Sequence, residues 1–282
     1  MMHEAAGADR IQRETFKRGS RTYFNSSLFF PEEVRRDVFA LYGFVRVADD
    51  YVDALPQDRE GFFSFKERYA GALRGEEPED VIIASFVDLM RRRDFDPAWV
   101  DAFLGSMEMD LTKKTHRTLE ETLEYIYGSA EVIGLFMARI MRLPDQSLPY
   151  ARMLGRAMQY INFIRDIDED LSLGRTYLPL TGSSLDTLTL EETSGQPGEF
   201  RAYIGEQLEL YRGWQKEAER GFRFIPKRYL IPIKTASDMY GWTAARIERD
   251  PFIVYRRKVK PGRGRILLRV VRNALVLPGR PR

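Results

Sequence analysis

The sequence predicts an all-α fold built as one domain over residues 1–282. Three observations carry this: helix caps recur along the chain, hairpin signals are scarce, and no internal repeat or dividing linker is present. With 44% hydrophobic residues in 282 positions there is apolar material for one large core. A charged fraction of 30% with 12% aromatics excludes the disordered and collagen-like classes.

Each element has its own signal. Pro31 stands at the start of a long segment to Asp53, with Glu32 and Glu33 in its first turn. Asp58 is placed to cap a helix to about Leu73, and Pro78 to open another to about Arg93. Asp96 and Pro97 read as N-cap and first residue of a fourth helix, ending near Lys113. Thr118 and Glu121 form a capping box ahead of a helix to about Arg142, stopped by Pro144. Ser147 begins a segment to Leu173, with Gly174 as its C-terminal signal. Residues 181–198 are the loosest stretch, a connection holding at most one short helix. Helix resumes from about Pro197 to Gly221 and from Pro226 to Glu248, where Pro232 is placed to kink it. A last amphipathic segment runs from about Arg265 to Leu277.

Composition narrows the chemistry. The chain has no cysteine, which removes thiol nucleophiles, disulfides and thiolate metal sites together. Of two histidines, His3 lies near the N-terminus and His116 between helical segments, so a histidine triad or a two-histidine metal site is excluded. Catalysis must run on carboxylates, arginines, tyrosines or a hard metal held through oxygen. No apolar run approaches the roughly 20 residues of a membrane span. No signal peptide is read either, so the expectation is a cytoplasmic protein, soluble or peripheral to a membrane. Ten of the 44 basic residues and none of the 42 acidic ones lie from Pro251 onward. Such a tail suits phosphate-bearing partners or, equally, forms a solvated basic helix face.

Two aspartate clusters stand out. Asp49 and Asp53 are four residues apart, with Asp50 on the flank, at the end of an apolar run; Asp166 and Asp170 repeat the spacing. On a helix this puts each pair on one face a turn apart, a repulsive arrangement for like charges. A solvated acidic helix end is the bland reading of either cluster. Two copies, each closing a strongly apolar helix, point instead to metal. Mg²⁺ typically takes one or two carboxylates together with phosphate oxygens and water, so two facing pairs can share ions with a diphosphate. Asp168, on the far side of its helix, reads as solvated either way.

The ordered set of motifs resembles the squalene/phytoene synthase family of head-to-head prenyl transferases. The pieces are SRTYF at 20–24, LYGFVRVADDYVD at 41–53, YIYGSAEVIG at 125–134 and QYINFIRDIDED at 159–170. GRTYLP at 174–179, Tyr240 and DPFIVYRR at 250–257 follow. The resemblance implies the all-α isoprenoid synthase fold with a central cavity between helices. It implies that Asp49, Asp53, Asp166 and Asp170 hold the Mg²⁺–diphosphate cluster, Mn²⁺ being an alternative ion, with Asn162 as a further ligand and Gln159 beside it. Ser20, Thr22, Arg46, Tyr240 and Arg257 match positions contacting diphosphate, with Arg256 and Arg257 ambiguous by one residue. Tyr42, Tyr125, Ala130, Ile133 and Gly134 match the prenyl tunnel. Glu131 departs from relatives that carry glycine, and is expected to point aside or cap a neighbour. Singly, each position has an ordinary reading as a core tyrosine, helix-packing residue or boundary hydroxyl.

The implied reaction joins two prenyl diphosphates 1–1′ through a cyclopropylcarbinyl diphosphate. Phytoene from two C20 substrates is the first reading, and squalene, dehydrosqualene and hydroxysqualene synthases are the others. NADPH enters only in the squalene case. Another class I terpenoid synthase and a non-catalytic scaffold on the same fold are the alternatives. Nucleic acid is not an expected partner. Arg265, Arg269 and Arg272 share one face of the last segment, which allows peripheral membrane contact. The competing reading of that segment has its apolar face in the core and its arginines in water.

Overall fold

The computed structural model describes residues 30–276. Ser20 and Thr22 lie outside them, as do His3 and the end of the last segment at Leu277. Among the described residues the structure is helical, with no strand and a single isolated bridge pairing Thr115 with Thr176.

The first half lays down α1 (Glu32–Asp53), α2 (Arg59–Arg74), α3 (Val81–Arg93) and α4 (Pro97–Asp110). Their starts are fixed by side chains: Asp58 accepts from the Gly61 N–H, Asp80 from Ile82 and Asp96 from Ala98. Asp80, not Pro78, therefore sets the start of α3. The apolar faces of α1 to α4, with that of α6 (Val132–Ile140), enclose a first core centred on Phe44, which stacks on Phe86 at 3.8 Å.

Half of the capping box forms at α5 (Leu119–Ile126): Thr118 accepts from Glu121 N–H, while the Glu121 carboxylate accepts from the N–H of Arg117, one residue before the cap, at 2.7 Å. The helix expected to run unbroken to Arg142 instead passes through a π-helical turn, Tyr127–Glu131, before α6. Gly128 and Gly155 explain the bulge's packing. A Cβ on Gly128 would stand 2.0 Å from the Ala102 carbonyl oxygen, and one on Gly155 2.3 Å from that of Ala130. The wide turn is thus pressed between α4 and the helix α7 (Leu148–Arg165).

α7 is the central helix, packed on α6, the π turn, α10 (Pro197–Glu219) and α11 (Lys227–Arg249). It ends at Asp166 (φ −102°, ψ 18°), and α8 (Ile167–Ser172) continues from it. The predicted single helix to Leu173 is therefore broken inside the second aspartate motif. Aspartate competes for backbone hydrogen bonds and favours such junctions. The 181–198 connection holds one short helix, α9 (Leu190–Gly195). α11 runs on through Pro232, which sits in its second turn. α12 (Ile253–Arg256) and α13 (Arg263–Val276) complete the described chain. A second core, with Tyr160, Phe163, Phe200 and Tyr211, joins α5, α7, α10 and α11.

Candidate active site

The first aspartate pair closes α1 where the first core ends, and the second lies at the α7–α8 junction beside the second core. Val52 is fully buried between Asp49 and Asp53, which anchors the helix end and turns both carboxylates off the core. Arg46 donates to Asp49 at 2.7 Å and also pairs with Asp50. Burial and, next, the Asp53 charge push the Asp49 carboxyl up to about 7. At the second pair, Asp170 N–H donates to the Asp166 carbonyl at 2.8 Å, so the two residues stay one turn apart despite the break. Burial and, next, Asp166 push Asp170 up to about 8. Arg165 donates to Asp166 at 2.8 Å, and Lys258 lies 3.4 Å from the same carboxylate and also pairs with Glu169. Asp168 is exposed.

Arg175 connects the first pair to the interior. Its guanidinium donates to Asp53 at 2.7 Å and to the Val52 carbonyl at 2.7 Å, and stands 4.0 Å from Asp110. Asp110, at the buried end of α4, accepts from Tyr125 at 2.7 Å and Tyr177 at 2.8 Å. The loop bearing Arg175 and Tyr177 is held in place by backbone. His116 N–H donates to the Thr176 carbonyl and Thr176 N–H to Lys114, while Thr122 Oγ1 donates to the Tyr177 carbonyl at 2.7 Å. Gln57 donates to the Val52 and Asp110 carbonyls, fixing the ends of α1 and α4 together. His116 is a packing residue here: its ring stacks on Tyr177 and its Nδ1 meets the Glu121 carbonyl at 3.1 Å.

Asp110, Tyr177, Arg175 and Lys258 were given no site role by the sequence reading. Asp110 had a signal: it follows Phe103 and Met107 on the core face of α4, where a carboxylate is out of place. Lys258 had none, since only the fold brings it to Asp166. Arg257, its neighbour, is exposed.

The tunnel candidates divide between the two cores. Tyr42 and Ile133 pack against the first, Tyr125 and Ala130 belong to the second, and Tyr240, the diphosphate candidate, packs against the second as well. Gly134 has a packing duty: a Cβ there would stand 2.2 Å from the Ala151 carbonyl oxygen of α7. Glu131 is fully buried and turned onto α7, accepting from Arg152 at 2.9 Å and Arg156 at 2.6 Å.

The donor set fits a hard cation that arrives with phosphate. Asn162 donates weakly to Gln159 at 3.5 Å, and its buried Oδ1 has no hydrogen-bond partner among the described residues. Among the described residues no three Asp, Glu or His side chains converge to chelate an ion unaided.

A family model described as squalene/phytoene synthase matches residues 16–265. The chain belongs to the squalene/phytoene synthase family. This family member is a prenyltransferase. It is 30% identical over 257 residues to a 15-cis-phytoene synthase of Paracoccus sp., covering 87% of this chain and 84% of that one. It is 32% identical over 258 residues to a phytoene synthase of Cereibacter sphaeroides, covering 85% and 72%. A squalene synthase from Alicyclobacillus acidocaldarius superposes with a TM-score of 0.80 at 23% identity, over 88% of this chain and 96% of that one. A dehydrosqualene synthase gives 0.79 at 19% identity, over 96% of both chains. The last two likenesses establish the all-α isoprenoid synthase fold.

Proposed function

We propose that the enzyme, as one domain over 1–282, condenses two prenyl diphosphates head to head, with two C20 diphosphates giving phytoene as the preferred reading. The observation that carries it is that one carboxyl in each aspartate motif, Asp49 and Asp170, is raised by burial, while the buried Asn162 Oδ1, one turn before Asp166, has no partner among the described residues. Mg²⁺ bound with the diphosphate would neutralise the charge that develops on the leaving group as the C–O bond breaks. Arg46 and Lys258, already at the two motifs, add positive charge for diphosphate oxygens. Tyr42, Tyr125, Ala130 and Ile133 form apolar wall that keeps water from the allylic cations. Tyr125 donates to Asp110, and burial raises its pKa well above the usual 10, so it stays protonated. The departing diphosphate then accepts the proton lost in forming the product.

The phytoene route needs no reductant; the squalene route consumes hydride from NADPH. Incubation with C15 or C20 diphosphate and Mg²⁺, with and without NADPH, followed by mass analysis of the hydrocarbon, decides between them. A C40 product without NADPH is expected. A C30 product, or one that forms only with NADPH, replaces the phytoene reading with a squalene-type one. Ala130→Phe is expected to shift preference from C20 toward C15, because overfilling a packed wall costs about 1–3 kcal/mol. An unchanged preference removes Ala130 from the tunnel. The reading includes peripheral contact of the basic C-terminal segment with a membrane, where such substrates and products partition.

A further inference from the structure

Of the two readings of the last segment, the one that puts its apolar face in the core does not hold for four of its large side chains. On α13, Asn273 is buried and donates to Thr235 Oγ1 at 3.1 Å and Asp238 Oδ2 at 2.9 Å of α11. Arg269 lies 3.7 Å from the same Asp238 carboxylate, and the Arg265 guanidinium sits over the Trp242 ring at 4.9 Å. Ile266, Val270 and Ala274 are only half-buried. Leu267, Leu268, Val271 and Leu275 are 65%, 72%, 49% and 80% exposed. At helical spacing these four fall within an arc of roughly 100° pointing away from α11. Exposed Arg263 borders the arc on one side and exposed Arg272 on the other.

An ordinary surface helix turns its leucines inward, so a seam made of an amide, an ion pair and a cation–π contact calls for a partner on the outer face. That partner must be apolar in the middle and anionic at the edges, since the chain from Pro251 onward carries no acidic residue. We infer that α13 is an interfacial anchor: Leu267, Leu268, Val271 and Leu275 enter the acyl boundary of an anionic bilayer while Arg263 and Arg272 hold lipid phosphates. This rests on the peripheral contact proposed above and specifies it. Arg269, committed to Asp238, is structural and takes no part. The mode is insertion by apolar side chains, with charge as an accessory.

The absence of cysteine makes the test direct. Leu268→Cys takes a single environment-sensitive fluorophore, with Lys216→Cys on α10 as an exposed control. The intact protein is mixed with phosphatidylglycerol/phosphatidylcholine vesicles, and binding is read by co-sedimentation and by emission. Two further variants are compared, L268S/V271S/L275S and R263Q/R272Q, with circular dichroism to verify that each keeps its helix content. The label at position 268 is expected to shift to the blue on binding and that at 216 not to. The serine variant is expected to lose roughly tenfold or more in affinity even at about 0.5 M salt, whereas the glutamine variant weakens chiefly at low salt. If the serine variant binds like the wild type while the glutamine variant does not, the electrostatic contact stands and insertion is overturned. Absence of binding by the wild type sinks both. A wild-type dimer in lipid-free solution that the serine variant dissociates assigns the face to a second copy and also overturns the anchor.

Discussion

Arg175 has its guanidinium committed on three sides, to Asp53, to the Val52 carbonyl and toward Asp110. Its removal leaves Asp110 buried with only two tyrosine donors, in surroundings where burial already raises its pKa. Arg175→Met is expected to cost about 3 kcal/mol, the lower end for breaking a buried pair because Asp53 keeps some solvent. Urea titration measures this, and Arg175→Lys should recover part of the loss. Asp49→Ala and Asp166→Ala should behave oppositely, abolishing turnover while leaving the helical fold intact, since their ion pairs are with part-exposed arginine and lysine at helix ends. Product formation near wild-type rates in either variant would falsify the metal-cage reading. The aspartates could be found from spacing alone. Arg175 could not, because nothing in GRTYLP says which carboxylate its guanidinium meets.

At the scale of elements, glycine positions separate contact from conformational freedom. Gly134 faces the α7 backbone with no space for a methyl group, whereas Gly213 in α10 has nothing within 4 Å of its ideal Cβ. Gly134→Ala is expected to destabilise by about 2–3 kcal/mol, because the obstruction is backbone on both sides. Gly213→Ala should stabilise by about 0.5–1 kcal/mol through helix propensity and a stiffer unfolded chain. Thermal denaturation of both checks the contrast. Capping residues announced most helix starts, as Asp58, Asp96 and Thr118 illustrate. The π turn at Tyr127–Glu131 was invisible, since it depends on how α4 and α7 press against it, and the break at Asp166 was hidden because aspartate favours a junction without requiring one.

Across the whole molecule, two carboxyls beside the two apolar cores, Asp49 and Asp170, make stability respond to pH. The folded, metal-free enzyme holds protons on Asp49 and Asp170 up to about 7 and about 8, while the unfolded chain releases them near 3.8. The folded state therefore binds more protons in this window, and these two groups make stability fall as pH rises from about 4 to about 8. Mg²⁺ with inorganic pyrophosphate should displace those protons. The rise in Tm it produces is expected to be larger at pH 8 than at pH 6. Asp49→Asn with Asp170→Asn should flatten the pH slope. Calorimetry in buffers of different ionisation heat reads the proton release directly, and a pH-independent ligand effect would contradict the assignment.

The sequence by itself determined the helical class, the family and the two aspartate pairs, because capping, apolar periodicity and four-residue spacing are local along the chain. Only the tertiary structure decided how charges are shared. It turned Glu131 onto Arg152 and Arg156, brought Lys258 to Asp166, and set Asp110 between two tyrosines and near Arg175. It also decided the orientation of α13, whose apolar periodicity left a buried and an outward face both open. Asp238 and Thr235 on α11 capture Asn273, and leave the leucines outward. Periodicity tells which side chains share a face. Which face is covered depends on hydrogen-bond partners far away in sequence, and those exist only once the chain has folded.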